Sequence, residues 1–177
     1  MNTATKDRAE DQAAAQYSSI VDMLAAVECD YDRLQELRDE CEEFILDRMD
    51  EPGCNRACAE HEWTIERLDE ALELAELEAA AGDCTDEEDA RQRIQEDPLS
   101  VEVRSDWTSP GEELTAGEFQ ILLCAGGPAV RIMGELNRGE PCRAWLEYQD
   151  WGTPWTQYFG ADSDTLCRYA SFFLFGE

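Results

Sequence analysis

The chain has 177 residues and a formal net charge of −28 at pH 7, and 43% of its residues are hydrophobic. This length is enough to bury a core within one domain, or within one compact domain that carries a helical extension. The apolar content excludes an intrinsically disordered chain, and the charge disfavours nucleic acids and anionic membranes as direct partners while it favours basic protein surfaces.

The N-terminal part is predicted to form a long antiparallel helical hairpin, within an acidic helical region at residues 13–97. Residues 1–12 are polar and without periodicity, so we expect a frayed end. Apolar residues then recur three and four positions apart along two predicted helices. The first ends near Asp50, where Glu51-Pro52-Gly53 follows, and the second ends near Gly82. The two apolar stripes are expected to close on each other. The first comprises Tyr17, Ile20, Leu24, Val27, Tyr31, Leu34, Leu37, Cys41, Phe44 and Ile45, and the second Ile65, Leu68, Leu72, Ala75 and Ala79.

A short third helix and an antiparallel sheet are predicted to follow. Thr85-Asp86-Glu87-Glu88 matches a capping box, and Asp97-Pro98 closes the helix that it opens. Over residues 98–177, apolar residues alternate with polar ones in runs that glycine-containing turns separate, which indicates an aromatic-rich β-meander. A short helix from about Asp164 completes the chain. The predicted fold class is α+β, with the sheet and the helices in one cooperative unit.

Most of the charge lies on the predicted hairpin. Residues 1–97 hold 9 basic and 30 acidic side chains, a net charge of −21, whereas residues 98–177 hold 5 and 12, a net charge of −7. Side by side, the two helices would carry about one carboxylate per 1.7 Å of rise, close to the charge spacing of duplex DNA. We therefore expect the polar face of the hairpin to bind a basic partner. The residues predicted for this contact are Glu36, Asp39, Glu40, Glu43, Asp47, Glu62, Glu66, Asp69, Glu70, Glu73 and Glu76.

The eight cysteines are predicted to be reduced thiols. No apolar run near Met1 resembles a signal peptide, so we expect a cytoplasmic protein in which most cysteines are small buried hydrophobes. Cys54, Cys58 and His61 lie within eight residues, but a zinc site needs further ligands, and Cys41 or Cys84 would have to supply them. The sequence therefore predicts two thiols and a partly exposed histidine at the hairpin turn, without a metal.

The most distinctive stretch is Ala144-Trp145-Leu146-Glu147-Tyr148-Gln149-Asp150-Trp151-Gly152-Thr153-Pro154-Trp155. It resembles proteins of unassigned function that integrative and conjugative elements of proteobacteria carry, and the resemblance covers mainly the part from Leu99 to Glu177. The resemblance implies a mobile genetic element as the setting and implies no activity. From the residues alone, we expect a core strand with apolar side chains on both faces.

The sequence contains no recognisable catalytic motif, because it lacks a nucleophile elbow, a phosphate loop and a dinucleotide fingerprint. The leading hypothesis is a non-enzymatic protein of the DNA-mimic type, without a cofactor, whose hairpin occupies the nucleic-acid-binding surface of a basic partner. In a mobile element that partner would be a host defence nuclease or a restriction complex, which is an anti-defence role. One alternative is a metal-dependent or hydrolytic enzyme that uses Cys54, Cys58 and His61 or carboxylates. Another is an assembly or regulatory adaptor that forms a homodimer through the hairpin.

Overall fold

The computed structural model describes residues 3–105 and 107–175, with side chains from Arg8 onward. Over these residues the chain forms helices first, then an antiparallel meander, then a short helix, so the predicted α+β class is confirmed. No helix in the described ranges is both long and apolar enough to cross a membrane. The helices are α1 (Thr3–Glu28), α2 (Tyr31–Met49), α3 (Arg56–Glu66), α4 (Leu68–Ala81), α5 (Glu87–Glu96) and α6 (Ser163–Ala170). The strands are β1 (Ser100–Ser105), β2 (Ala116–Cys124), β3 (Ala129–Asn137), β4 (Glu140–Gln149) and β5 (Thr156–Tyr158).

The chain divides into two compact units. The sheet unit comprises Met1–Leu24 and Arg91–Glu177, and the helical unit comprises Ala25–Ala90. The boundaries between them fall within α1 and within α5.

The sheet unit is built on five antiparallel strands in the order β1-β2-β3-β4-β5. Its register pairs Ile121 with Ile132 and Ile132 with Leu146, and all three side chains are fully buried. Because successive side chains of a strand point to opposite faces, this register brings the alternating apolar residues of β2, β3 and β4 onto one face. Helix α6 packs against β4 and buries Leu166 and Tyr169.

The first part of α1 belongs to the sheet unit. Ala9, Ala13 and Ile20 are buried. Burial, and then the nearby carboxylate of Glu10, raise the pKa of Tyr148 on β4. The Tyr17 hydroxyl accepts a hydrogen bond of 3.1 Å from the backbone N–H of Asp162, the N-cap of α6. Helix α1 begins at Thr3, so residues 3–12 are helical, whereas we expected a frayed end over residues 1–12; residues 1–2 lie outside the described residues. The buried face at this end consists largely of alanine, which a search for large apolar residues does not detect.

Each of the two long helices predicted for the hairpin is divided in two. The first is interrupted at Cys29 and Asp30, because the Asp30 carboxylate accepts a hydrogen bond of 3.0 Å from the Arg33 N–H and so caps the start of α2. The second is interrupted at Arg67, whose backbone angles of −125° and 50° lie outside the helical region. Helix α2 packs against both α3 and α4.

The break at Arg67 changes which face of the second arm is buried. Ala59 and Trp63 of α3 are buried, as is Ala81 of α4, and half-buried residues of α4 extend this inner face. The stripe predicted from a continuous helix is wrong, because Ile65, Leu68 and Leu72 are 65%, 53% and 55% exposed and Ala75 and Ala79 are exposed with them. We call Ile65, Leu68 and Leu72 the exposed stripe.

Candidate protein-interaction surface

The helical unit concentrates the negative charge of the protein. It holds 24 acidic side chains and five arginines, a formal net charge of −19. Each of the five arginines forms an ion pair with a glutamate of the same unit, so its charge is already partly used within the chain. The pairs join Arg33 to Glu36 and Glu73, Arg38 to Glu78, Arg48 to Glu51, Glu62 and Glu66, Arg56 to Glu42 and Glu60, and Arg67 to Glu70.

These ion pairs divide the eleven predicted contact residues into two groups. The paired group has its charge partly neutralised within the chain; for example, two hydrogen bonds from Arg33 hold the pKa of Glu73 below its ordinary value. This group comprises Glu36, Glu62, Glu66, Glu70 and Glu73. Asp39 accepts a hydrogen bond of 2.8 Å from Gln35. The remaining five have no hydrogen bond or ion pair with any described residue: Glu40, Glu43, Asp47, Asp69 and Glu76.

Three of the unpaired carboxylates lie together on α2. Glu43 and Asp47 follow Glu40 by three and seven positions, a spacing that places all three side chains on one face of the helix. They line an open groove of about 330 Å³ that Phe44, Trp63 and Arg67 complete. We call this feature the α2 groove. Four of its lining residues lie on α2, Trp63 lies on α3, and Arg67 is the residue at which the second arm breaks.

The aromatic side chains of the α2 groove are fixed by packing. The rings of Phe44 and Trp63 meet edge to face with their centroids 5.5 Å apart, and Trp63 is only 4% exposed. The guanidinium of Arg48 lies 5.1 Å from the centre of the Phe44 ring, and that of Arg67 lies 5.9 Å from the Trp63 ring. The indole N–H of Trp63 is buried and has no acceptor among the described residues. A groove with an acidic rim beside aromatic rings suits a lysine or arginine side chain, which combines an apolar stem with a cationic end.

The other two unpaired carboxylates lie beside the exposed stripe. Within α4, Asp69 precedes Leu72 by three positions and Glu76 follows it by four, so both carboxylates are neighbours of Leu72 on the helix surface. Apolar and acidic side chains therefore alternate on this second surface, which the sequence predicted to be buried.

Cys54, Cys58 and Glu62 form a compact cluster at the start of α3. Their sulfur and carboxylate oxygen atoms all lie within 4.8 Å of one another. Contacts with Cys54 and then Glu62 raise the pKa of the Cys58 thiol to about 11. Within the described residues, neither His61 nor the predicted additional ligands Cys41 and Cys84 belong to this cluster.

Phe44, Trp63 and Arg67 could not be identified from the sequence as parts of a surface feature. The periodicity predicts Phe44 in the buried stripe of the first helix, whereas in the structure Phe44 is half-buried. Trp63 is the only tryptophan of the acidic half, and it lies four residues after Ala59, so this spacing was the available signal for the inner face of α3. One continuous helix through Arg67 would place Ile65 and Leu68 on the inner face, so the periodicity of the sequence predicts those residues, and not Trp63, to be buried.

Comparison of the chain with models of protein families, with curated proteins and with solved structures finds no match. The chemistry of the surface itself is therefore the basis for inferring function. Its main elements are the three unpaired carboxylates of the α2 groove and the rigid aromatic pair beside them.

Proposed function

We propose that the protein is a non-enzymatic acidic interaction protein, which occupies the nucleic-acid-binding surface of a basic partner protein through the α2 groove. The observation that carries this proposal is the set of three adjacent carboxylates, Glu40, Glu43 and Asp47, that have no partner within the described chain. The partner is a cytoplasmic protein with a lysine-rich or arginine-rich surface. In a mobile-element setting it is a host defence nuclease or a restriction complex.

The arrangement of Glu40, Glu43 and Asp47 costs stability in the free protein. Like charges three or four positions apart on a helix repel each other by about 0.2–0.5 kcal/mol per pair. Arg67 lines the same groove but is ion-paired with Glu70, and the other four arginines also pair with other glutamates, so this repulsion is compensated only in part. Cationic side chains of a partner would remove it, which favours a binding role over a merely solvated face.

The structure changes the form of DNA mimicry that we propose. Glu40 to Asp47 spans seven residue steps, or about 10.5 Å of helix rise, so the three carboxylates are about 5 Å apart along the axis. A single strand of duplex DNA carries one phosphate per about 3.4 Å. The groove therefore does not copy the phosphate spacing. The helical unit supplies a strong negative field that accelerates encounter with a basic surface, and the groove supplies the local contact.

A displacement experiment tests the proposal. Immobilised full-length protein is incubated with bacterial lysate at low salt, and the bound proteins are eluted with excess duplex DNA. We expect DNA to elute at least one basic, nucleic-acid-binding protein, because both ligands would compete for one surface. Capture that resists both DNA and high salt would contradict the proposal, as would a captured protein without affinity for nucleic acid.

The exposed stripe supports a second candidate function, an adaptor that forms a homodimer. Ile65, Leu68 and Leu72 are each more than half exposed, and such a patch can drive association. Two copies with a charge of −28 each repel, so salt should strengthen a dimer, whereas salt should weaken binding to a basic partner. Sedimentation analysis at low and high salt distinguishes the two, and the joint variant Leu68→Ala, Leu72→Ala should lose any dimer.

A further inference from the structure

We infer that Cys54, Cys58 and Glu62 form a binding site for a thiophilic divalent cation, with Zn²⁺ as the natural candidate. The site lies at the junction between the α2–α3 loop and α3, and it is independent of the proposed partner surface. The sequence predicts no metal here, because Cys54, Cys58 and His61 fall short of the four ligands that a zinc site commonly needs. In the structure the third candidate ligand beside the two thiols is Glu62, one helical turn after Cys58, and not His61.

The distances agree with tetrahedral coordination. With a zinc–sulfur bond of about 2.3 Å and a zinc–oxygen bond of about 2.1 Å, two ligands at the tetrahedral angle lie about 3.6 Å apart, and two sulfurs about 3.8 Å apart. The Cys58 sulfur lies 3.5 Å from Oε1 of Glu62. All three donor atoms lie within 4.8 Å of one another, so the Cys54 sulfur needs to move by at most about 1 Å to complete the set.

Hydrogen bonds and an ion pair position the three candidate metal ligands. The Cys54 N–H donates a hydrogen bond of 3.2 Å to the carbonyl of Glu51, and the Cys58 N–H donates one of 3.0 Å to the side chain of Asn55. Arg48 lies 3.6 Å from Oε2 of Glu62, which leaves Oε1 facing the thiols. Such partners orient metal ligands and restrict the freedom that binding would otherwise have to remove.

The chemistry of the donors selects the class of cation. Two thiolates are soft ligands that favour zinc and similar metals, whereas Mg²⁺ and Ca²⁺ favour sites made of oxygen donors alone. On binding, both thiols release their protons to solvent, and the two thiolates and the carboxylate supply three negative charges to one Zn²⁺. Water takes the fourth position of the tetrahedron. The bound ion would fasten Cys54, which precedes α3, to the first two turns of that helix.

Zinc binding to the reduced full-length protein tests the inference. The protein is equilibrated with Zn²⁺ in a large excess of Mg²⁺, which occupies adventitious carboxylate sites but not thiolates, and the bound zinc is measured by elemental analysis. Co²⁺ is a spectroscopic substitute, because thiolate ligation gives it an intense charge-transfer absorption. We expect one zinc per chain and a thiolate–cobalt band in the wild type.

Three variants separate this site from the other thiols and acids. Cys58→Ser should lose the zinc and the cobalt band. Glu62→Gln should weaken zinc binding by more than the roughly 10- to 100-fold that loss of an outer-shell partner costs. Cys142→Ser removes an exposed thiol of β4 in the sheet unit and should change neither. The inference is overturned if the wild type holds no stoichiometric zinc, if Co²⁺ gives no thiolate band, or if Cys58→Ser binds as the wild type does.

Discussion

Neutralising the α2 groove should abolish most of the affinity for the basic partner. The perturbation is the triple variant Glu40→Gln, Glu43→Gln, Asp47→Asn, which keeps the size of each side chain and removes three charges. The matched control is Asp32→Asn, Asp83→Asn, Glu88→Gln. The control residues are also exposed, lie in the helical unit and have no partner among the described residues, so both variants lower the net charge by the same amount.

The two triples differ in distance from the groove, and this sets the expected magnitudes. A charge pair at about 4 Å in water is worth about 1 kcal/mol, so the groove triple should lose about 3 kcal/mol, or roughly a hundredfold in Kd. Asp32 precedes Glu40 by eight residues, or about 12 Å along α2. At that distance the interaction is about 0.35 kcal/mol before screening and about 0.1 kcal/mol at physiological salt. Asp83 follows α4, Glu88 lies in the first turn of α5, and neither lines the groove, so with contributions of this size the control triple should change Kd by less than about twofold.

The assay uses the partner that duplex DNA elutes from the immobilised protein. Once purified, this partner is titrated with wild type and both triples, and its displacement from labelled duplex DNA gives Kd for each. Circular dichroism checks that the variants keep their helices. Equal losses for the two triples would show that overall charge alone drives binding, and an unchanged Kd for the groove triple would refute the assignment of the groove.

Three further predictions concern the sheet unit, and urea unfolding measures each of them. Gly134→Ala should destabilise strongly, because a Cβ there would overlap the Phe119 ring and lie 2.6 Å from the Arg143 carbonyl. Ile20→Ala should cost about 2–5 kcal/mol, because Ile20 is fully buried in α1; an unchanged stability would show that α1 does not contribute to the unit. The N–H of Thr165 holds the pKa of Asp162 below its ordinary value. This cap therefore stabilises the folded protein at pH values above the ordinary pKa of an aspartate, and the stabilisation is lost as the pH falls through the folded pKa. Asp162→Asn keeps the cap without the titration, so its stability should depend less on acid pH than that of the wild type.

The sheet and α2 could be predicted because local pattern decides them. Alternation along β2, β3 and β4 is strict, and short turns leave neighbouring strands little choice of partner. In α2 the predicted stripe is largely correct, since Leu34, Leu37 and Ile45 are buried, while Tyr31, Cys41 and Phe44 are half-buried. Asp162-Ser163 before the last helix also predicts its cap, because a carboxylate before a helix commonly accepts a hydrogen bond from a first-turn N–H, and Asp162 does so in the structure.

The breaks and the ion pairs could not be predicted in the same way. Asp30 is one acid among many, and its role as a cap follows only from its backbone geometry. Which glutamates the five arginines select depends on the packing of α2 against α3 and α4, with partners up to 40 residues apart. Consequently the sequence could identify an acidic surface, but it could not separate Glu40, Glu43 and Asp47 from the glutamates that are already paired.

The break at Arg67 can be tested through the side chains that it turns outward. If α3 and α4 formed one continuous helix, Leu68 and Leu72 would lie in the core of the hairpin, and the joint variant Leu68→Ala, Leu72→Ala would be severely destabilised. In the structure both side chains are more than half exposed, so the pair should lower the free energy of unfolding by about 1 kcal/mol or less, as surface substitutions do. Leu37→Ala is the matched change at a fully buried leucine of the same unit and should cost about 2–5 kcal/mol. Urea unfolding followed by far-ultraviolet dichroism gives both values at one protein concentration. A loss for the exposed pair that equals or exceeds that for Leu37→Ala would show that the stripe is buried and that the helix does not break at Arg67.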